Sequence, residues 1–119
     1  MTVADWVRAS SLEVLCGESY TARRQIHGGF CGDLLSWAMT HASENDAWMT
    51  VIGHVNTVAV AVLTKAACIV LADGAPLDEA AKKKAEENKM VVLRTQRSAF
   101  ETAAELSALL QEEKRRKNE

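Results

Sequence analysis

Apolar and polar residues follow two alternating patterns along the chain. Short apolar runs rich in Val, Ile and Leu end in glycine or polar residues, as buried parallel strands do. These runs occupy residues 12–15, 25–29, 48–52, 68–71 and 91–93. Longer segments with helical periodicity flank and separate them, at residues 3–9, 33–42, 56–66, 76–89 and 98–116. This order predicts a three-layer α/β fold, in which helices cover both faces of a mainly parallel sheet of about five strands.

Residues with strong positional preferences mark several helix starts. Ser98 and Glu101 have the spacing of a capping box, in which each side chain accepts a hydrogen bond from the other residue's backbone amide. Pro76 suits the first position of a helix, because its missing N–H would have no partner there. We expect Asp33 to cap the helix that follows it.

The segment 57–63, with the sequence TVAVAVL, fits two structures. Its valines alternate with period two, which favours a strand joined to the previous one by a hairpin turn at 53–56. Alternatively, Asn56 caps a helix on which Val55, Ala59 and Val62 share one face. Parallel strands need a crossover between them, so we predict a helix.

Composition is that of one ordinary globular domain. The chain has 119 residues, of which 48% are hydrophobic and 25% charged, and we expect a single domain over residues 1–119. The highly charged tail at 111–119 is expected to fray. A net charge of −2 and an aromatic content of 5% argue against binding to nucleic acid or to an anionic membrane.

The cysteines and the N-terminal residues indicate a cytoplasmic protein. Three cysteines are an odd number, and their spacing suits neither zinc nor a disulfide framework, so we expect reduced thiols. The N-terminal segment has an acidic residue at Asp5 and lacks the apolar stretch of a secretory signal. The longest apolar run, at 58–63, is too short to cross a bilayer.

Ligands of open parallel sheets bind beyond the carboxyl ends of the strands, so the residues after each predicted strand are candidates for a binding site. The loop after the second strand supplies Gly28, Gly29 and Asp33, and the loop after the third supplies His54, Asn56 and Thr57. Glycines and caps are also needed at such turns when nothing binds. If the ligand is anionic, the backbone amides at the helix start near Asn56 are its expected partners.

Known catalytic motifs are missing from the sequence. It contains no Walker loop, no GxSxG elbow and no HExxH, and we expect neither a catalytic residue nor a metal site nor a cofactor. Cys31 with His27 or His54 is the one arrangement that would suit a thiolate–imidazole pair. Cys16 and Cys68 lie in apolar surroundings and are expected to be inert core residues.

Residues 24–36, RQIHGGFCGDLLS, resemble the DRTGG domain family, which is named after residues in this stretch. The segments 48–62 and 68–73 and the helix start at 98–101 match the family in order and spacing, so the resemblance covers nearly the whole chain. Arg24, Gly28 and Gly29 keep the family pattern. Arg23 stands where the family has an acidic residue, and His27 where it has threonine.

The resemblance implies a three-layer α/β fold similar to the N-terminal domain of bacterial HPr kinases. DRTGG domains occur in regulatory regions of CBS-containing pyrophosphatases, where adenine nucleotides bind, and in some phosphate acetyltransferases. Short stand-alone members are typically encoded beside iron-only hydrogenases in anaerobic bacteria. The implied role is therefore regulatory, and the implied assembly is a dimer.

From the missing motifs and the resemblance we expect a non-catalytic regulatory or interaction domain linked to hydrogenase or redox metabolism. The expected partners are a second copy of the chain and a protein of a hydrogenase system. One alternative is a small-molecule sensor that binds an adenine-type nucleotide, and another is a thiol switch at Cys31. Trp6 and Trp37 are the expected contributors to a dimer interface, whereas Trp48 is expected in the core.

Overall fold

Five α-helices and five strands follow one another along residues 1–118, the part of the chain that this computed structural model describes. The helices are α1 (Val3–Ser10), α2 (Leu35–His41), α3 (Val55–Leu63), α4 (Glu79–Glu87) and α5 (Ala99–Lys117). The strands are β1 (Glu13–Cys16), β2 (Gly28–Cys31), β3 (Asp46–Thr50), β4 (Cys68–Leu71) and β5 (Val92–Arg94). A short 3₁₀-helix, Glu18–Tyr20, follows β1. No helix of this part of the chain has the length and apolar character to cross a membrane.

All five strands form one sheet in the order β1-β5-β4-β3-β2. Strands β2, β3, β4 and β5 run parallel to one another. Strand β1 pairs with β5 and runs antiparallel to it. The predicted α/β fold with a mainly parallel sheet is therefore confirmed. Each connection between successive parallel strands contains a helix, because parallel strands cannot be joined by a short turn.

Helices cover both faces of the sheet and create two apolar cores. On one face, Trp48 and Ile69 of the sheet belong to the same core as small residues of α2, α3 and α4. On the other face, Met49 and Val70 pack in a second core with residues of α1 and α5. Successive strand residues thus point into different cores, which is why β3 and β4 are buried at every position.

The alternating valines at 57–63 form helix α3, as predicted, and Trp48 is a core residue with 1% of its surface exposed. The prediction that Trp6 contributes to an interface is wrong, because this side chain is fully buried in the core beneath α1. The second strand begins at Gly28, three residues later than predicted. Gln25 and Ile26 bond instead to the N-terminal residues, the latter through its amide to the Met1 carbonyl at 2.8 Å.

Two of the predicted helix starts have a different cap. The Ser98–Glu101 capping box at α5 is present as predicted. Helix α2, however, has Leu34 and not Asp33 at its N-cap position. Pro76 lies before α4, whose N-cap is Asp78. The Asp78 amide donates to the carbonyl of Gly53 at 2.9 Å, which bonds the chain before α4 to the loop after β3.

The charged tail, which we expected to fray, continues α5 to Lys117. Glu113 accepts a hydrogen bond from the N-terminal ammonium group at 2.8 Å, which lowers the pKa of its carboxyl group. Glu112 forms an ion pair with Arg116 at 3.4 Å, one turn further along the helix. Glu119 lies outside the described residues.

We expect Cys68→Ser to lower the free energy of unfolding by about 1–3 kcal/mol, because the serine hydroxyl would be buried in an apolar core. Cys68 is completely buried, and burial raises the pKa of its thiol to about 12. Urea unfolding followed by tryptophan fluorescence measures the effect. The matched control is Cys31→Ser at an exposed position, which should stay within about 0.5 kcal/mol of wild type. Equal losses in both variants would contradict the assignment.

Candidate functional site

The six residues predicted to line a binding site lie in two separate places. Gly28 and Gly29 are the first residues of β2, and Gly28 pairs with Asp46, the first residue of β3. They are therefore at the amino end of the strands, and the prediction that they belong to the carboxyl edge is wrong. The other four residues follow the carboxyl ends of β2 and β3, as predicted; they are Asp33, His54, Asn56 and Thr57.

Asp33 joins the end of β2 to the end of β3. Its Oδ1 accepts hydrogen bonds from Thr50 Oγ1 at 2.6 Å and from the Val51 amide at 3.0 Å. Thr50 is buried, and a buried hydroxyl group needs a hydrogen-bond partner. The Asp33 carboxylate is that partner. Asp33 therefore positions a loop across the edge of the sheet, a role that depends on a partner far away in sequence.

The start of α3 is capped by the chain's own histidine. His54 Nδ1 accepts a hydrogen bond from the Asn56 amide at 3.1 Å, so His54, and not Asn56, is the N-cap. The Asn56 amide, one of those that we expected to bind an anionic ligand, is thus already used. Thr57 is buried, and its hydroxyl has no hydrogen-bond partner within residues 1–118.

Backbone contacts close the central part of the carboxyl edge. The Asp73 amide donates to the Arg97 carbonyl, and the Gly74 amide to the Thr95 carbonyl, both at 2.8 Å. At Gly53 the chain passes so close to the next loop that a Cβ atom would lie 2.1 Å from the Pro76 carbonyl oxygen. These loops fill the edge with protein.

Exposed apolar side chains gather at the β2 end of the same edge, and we call them the α2 surface. It consists of Leu34, Trp37, Val51 and Ile52. Leu34 is 64% exposed and Trp37 is 53% exposed. The hydrogen bond between Asp33 and Val51 brings the start of α2 next to the loop after β3. Of this surface, the sequence pointed only to Trp37, because residues 51 and 52 read as the end of a strand.

Trp37 is held in place on the outer side of α2. Its indole stacks on the His41 ring, with centroids 3.8 Å apart and planes inclined by 8°. The His41 ring nitrogen Nδ1 also lies 3.1 Å from the Trp37 carbonyl oxygen. A large aromatic ring that is both exposed and ordered loses little conformational freedom on binding a partner.

A groove with a volume of about 350 Å³ lies between β2 and α5. One wall is the stretch from His27 to Cys31, and the other is the face of α5 between Ala103 and Lys114. Gly28 and Gly29 thus line a cavity, although at the opposite end of β2 from the one predicted. No local pattern indicates this groove, since its walls are about 75 residues apart in sequence.

Arg24, which precedes the groove residues in sequence, and Cys31, which lines the groove, have different roles. Arg24, which keeps the family pattern, donates to the Lys89 carbonyl at 2.5 Å and lies over the Tyr20 ring. It therefore fastens the loop before β2 to the end of α4. Cys31 is exposed at the groove, but partial burial raises the pKa of its thiol. A raised pKa disfavours the thiolate that nucleophilic or redox chemistry needs.

Comparison with known proteins agrees with this architecture. The family model of the DRTGG domain matches residues 4–109. One similar solved structure contains the CBS and DRTGG domains of the regulatory region of Clostridium perfringens pyrophosphatase, complexed with the activator diadenosine tetraphosphate. Its TM-score is 0.65 at 14% sequence identity.

That alignment covers 87% of this chain and 44% of the pyrophosphatase chain, so this chain spans less than half of its neighbour's length. No curated protein sequence matches the chain. The family model, in contrast, extends over all five strands and most of the helices. The chain therefore belongs to the DRTGG domain family.

Proposed function

We propose that this chain is a non-catalytic regulatory domain that acts by association, first of all with a second copy of itself through the α2 surface. The observation that carries the proposal is a group of exposed apolar side chains at one end of the sheet, on α2 and on the loop that Asp33 binds beside it. Contiguous apolar surface of this kind is a feature of interaction sites. Asp33 and His54, two of the polar residues predicted to bind a ligand at this edge, are engaged in bonds within the chain.

The charge pattern of α2 favours a second copy as the partner. A two-fold interface brings the same surface of both copies together, so any charge near the axis meets a like charge. The α2 sequence, LSWAMTH, contains no Asp, Glu, Lys or Arg. The exposed positions of α4, in contrast, carry charges of both signs, among them Lys82, Lys83 and Glu86, and their burial in an interface would cost desolvation free energy.

Trp37 is the expected centre of this interface. Tryptophan is enriched among the residues that dominate binding energy, especially where neighbouring side chains exclude water from it. Leu34, three residues earlier and so on the same side of the helix, is exposed as well. A stable homodimer needs to bury roughly 800 Å² on each copy, a small part of the 6523 Å² that this chain exposes.

The biological setting that we propose is hydrogenase or redox metabolism in the cytoplasm. Its support is the resemblance to stand-alone DRTGG proteins, together with three cysteines that are all free thiols. In this setting a protein of a hydrogenase system is the second expected partner.

The alternative function is a sensor for an adenine-type nucleotide. Its support is the regulatory region of similar fold, which was crystallised with an adenine-containing activator. A ligand that binds only the folded state raises the melting temperature, so the two functions differ in a simple measurement.

Replacing Trp37 by serine should shift the protein from dimer to monomer in light scattering at micromolar concentration. Loss of a dominant interface residue costs about 2 kcal/mol or more, which weakens the dimer roughly thirtyfold or more. The melting temperature of the monomer should change little, because the indole is half exposed.

Leu63→Ser is the matched control for this experiment. Leu63 is 68% exposed, yet it ends α3 outside the α2 surface, so this variant should stay a dimer. A wild-type protein that is monomeric at these concentrations would contradict the homodimer. Dissociation of both variants alike would show that another surface forms the interface.

For the sensor alternative, the melting temperature is measured with AMP, ATP and diadenosine tetraphosphate at rising concentrations. If the chain acts by protein association alone, none of the three should shift the transition. A shift that increases with the logarithm of the nucleotide concentration would favour the sensor function.

A further inference from the structure

We propose that the groove between β2 and α5 binds a small organic anion that has an apolar body. This inference gives a place and a ligand class to the sensor alternative and does not depend on the homodimer. The groove is open to solvent, lies at the edge of the sheet, and contains both apolar and polar side chains. Its volume of about 350 Å³ is at the lower end of the range typical of small-molecule sites.

The floor of the groove is apolar. Met49 of β3 and Leu106 and Leu110 of α5 supply it. Gly29 lets these side chains pack directly against the strand, because a Cβ atom at this position would lie 3.2 Å from Met49 Cε and 3.6 Å from Leu106 Cδ2. An apolar body in the groove would therefore lie against Met49, Leu106 and Leu110.

The rim of the groove carries hydrogen-bond donors along one side of α5. Ser107, Gln111 and Lys114 follow one another at spacings of four and three residues, which places them on the same helix face. Opposite them, His27 Nδ1 lies 3.4 Å from Asn45 Nδ2. With Nδ1 accepting from that amide, the ring hydrogen is on Nε2, and His27 becomes a donor as well.

The charge of the groove selects an anion. Lys114 is the charged lining residue, and no carboxylate of residues 1–118 lines the groove. Within residues 1–118, Lys114 has no ion pair, whereas Arg116 and Lys117 are paired with Glu112 and Glu113 on the same helix.

The nearest carboxylate to Gly28 is that of Asp46. Its Oδ1 lies 3.0 Å from the position that a Cβ on Gly28 would take, but Asp46 is 8% exposed and does not line the groove. Its Oδ2 accepts from the Ser43 amide at 2.8 Å. This bond keeps Asp46 engaged with the chain and leaves the ammonium group of Lys114 as the exposed charge at the rim.

Titration with matched probes tests the proposal. 1-Naphthyl phosphate and 1-naphthoate carry an anionic group on an apolar body, and 1-naphthol is the same body without the anion. AMP and adenosine form a second pair, which distinguishes a nucleotide from other organic anions. Binding is followed by amide chemical shifts and by calorimetry on the full chain.

Within one or both pairs, the anionic probe should bind more tightly than its neutral counterpart and shift the amides of residues 27–31 and 103–114. Lys114→Gln should weaken anion binding roughly tenfold, the value of one charge-assisted hydrogen bond. Lys83→Gln makes the same change of charge on α4, away from the groove, and should bind like wild type.

Equal binding of each neutral probe and its anion, shifts that map elsewhere, or unchanged affinity in Lys114→Gln would each overturn the proposal. Failure here is distinguishable from failure of the association model. The oligomeric state is measured separately and does not involve groove residues.

Discussion

The two central strands, β3 and β4, are buried along their whole length, and the helices of residues 1–118 are arranged by the need to cover both of their faces. Alternate residues of these strands pack in two different cores. Loss of the helix layer on either side of the sheet would therefore expose half of these strand residues. Small residues permit the close approach of the helix layers, as with Ala38, Ala61 and Ala81 on one face. Burial of this apolar area is the dominant favourable contribution to folding.

The edges of the sheet are the places where this covering is incomplete. At one edge, β1 closes the sheet by antiparallel pairing, and Glu13 and Arg94 form an ion pair across it. At the other edge, β2 pairs only with β3 in the described chain. Helix α2 lies on one face of the sheet and α5 on the other, so the α2 surface and the groove lie on opposite sides of the sheet, both next to the edge strand β2. Both proposals thus concern the incompletely covered edge.

Sequence patterns predicted the elements that depend on local preference. The buried run at 68–71 coincides with β4, and the need for a crossover between parallel strands correctly placed a helix at 57–63. The preference of glycine for turns misled the prediction at Gly28 and Gly29, where the missing side chain instead lets Asp46, Met49 and Leu106 pack close to the strand.

Side-chain roles that depend on distant partners were beyond the sequence. Asp33 binds Thr50, and the loop containing Pro76 is held by Gly53, through contacts that only the folded chain creates. The groove joins residues 27–31 with 103–114, and the α2 surface joins α2 with the loop after β3. Trp6 and Trp37 have similar sequence surroundings on predicted helices, yet one is fully buried and the other half exposed.

Hydrogen–deuterium exchange of the wild-type chain at low and at high micromolar concentration tests the central claim, that the α2 surface is the surface of association. The account predicts slower exchange at high concentration in peptides that cover residues 34–41 and 51–55, and unchanged exchange in α4. Protection confined to α4 or to the groove, or identical exchange at both concentrations, would contradict it.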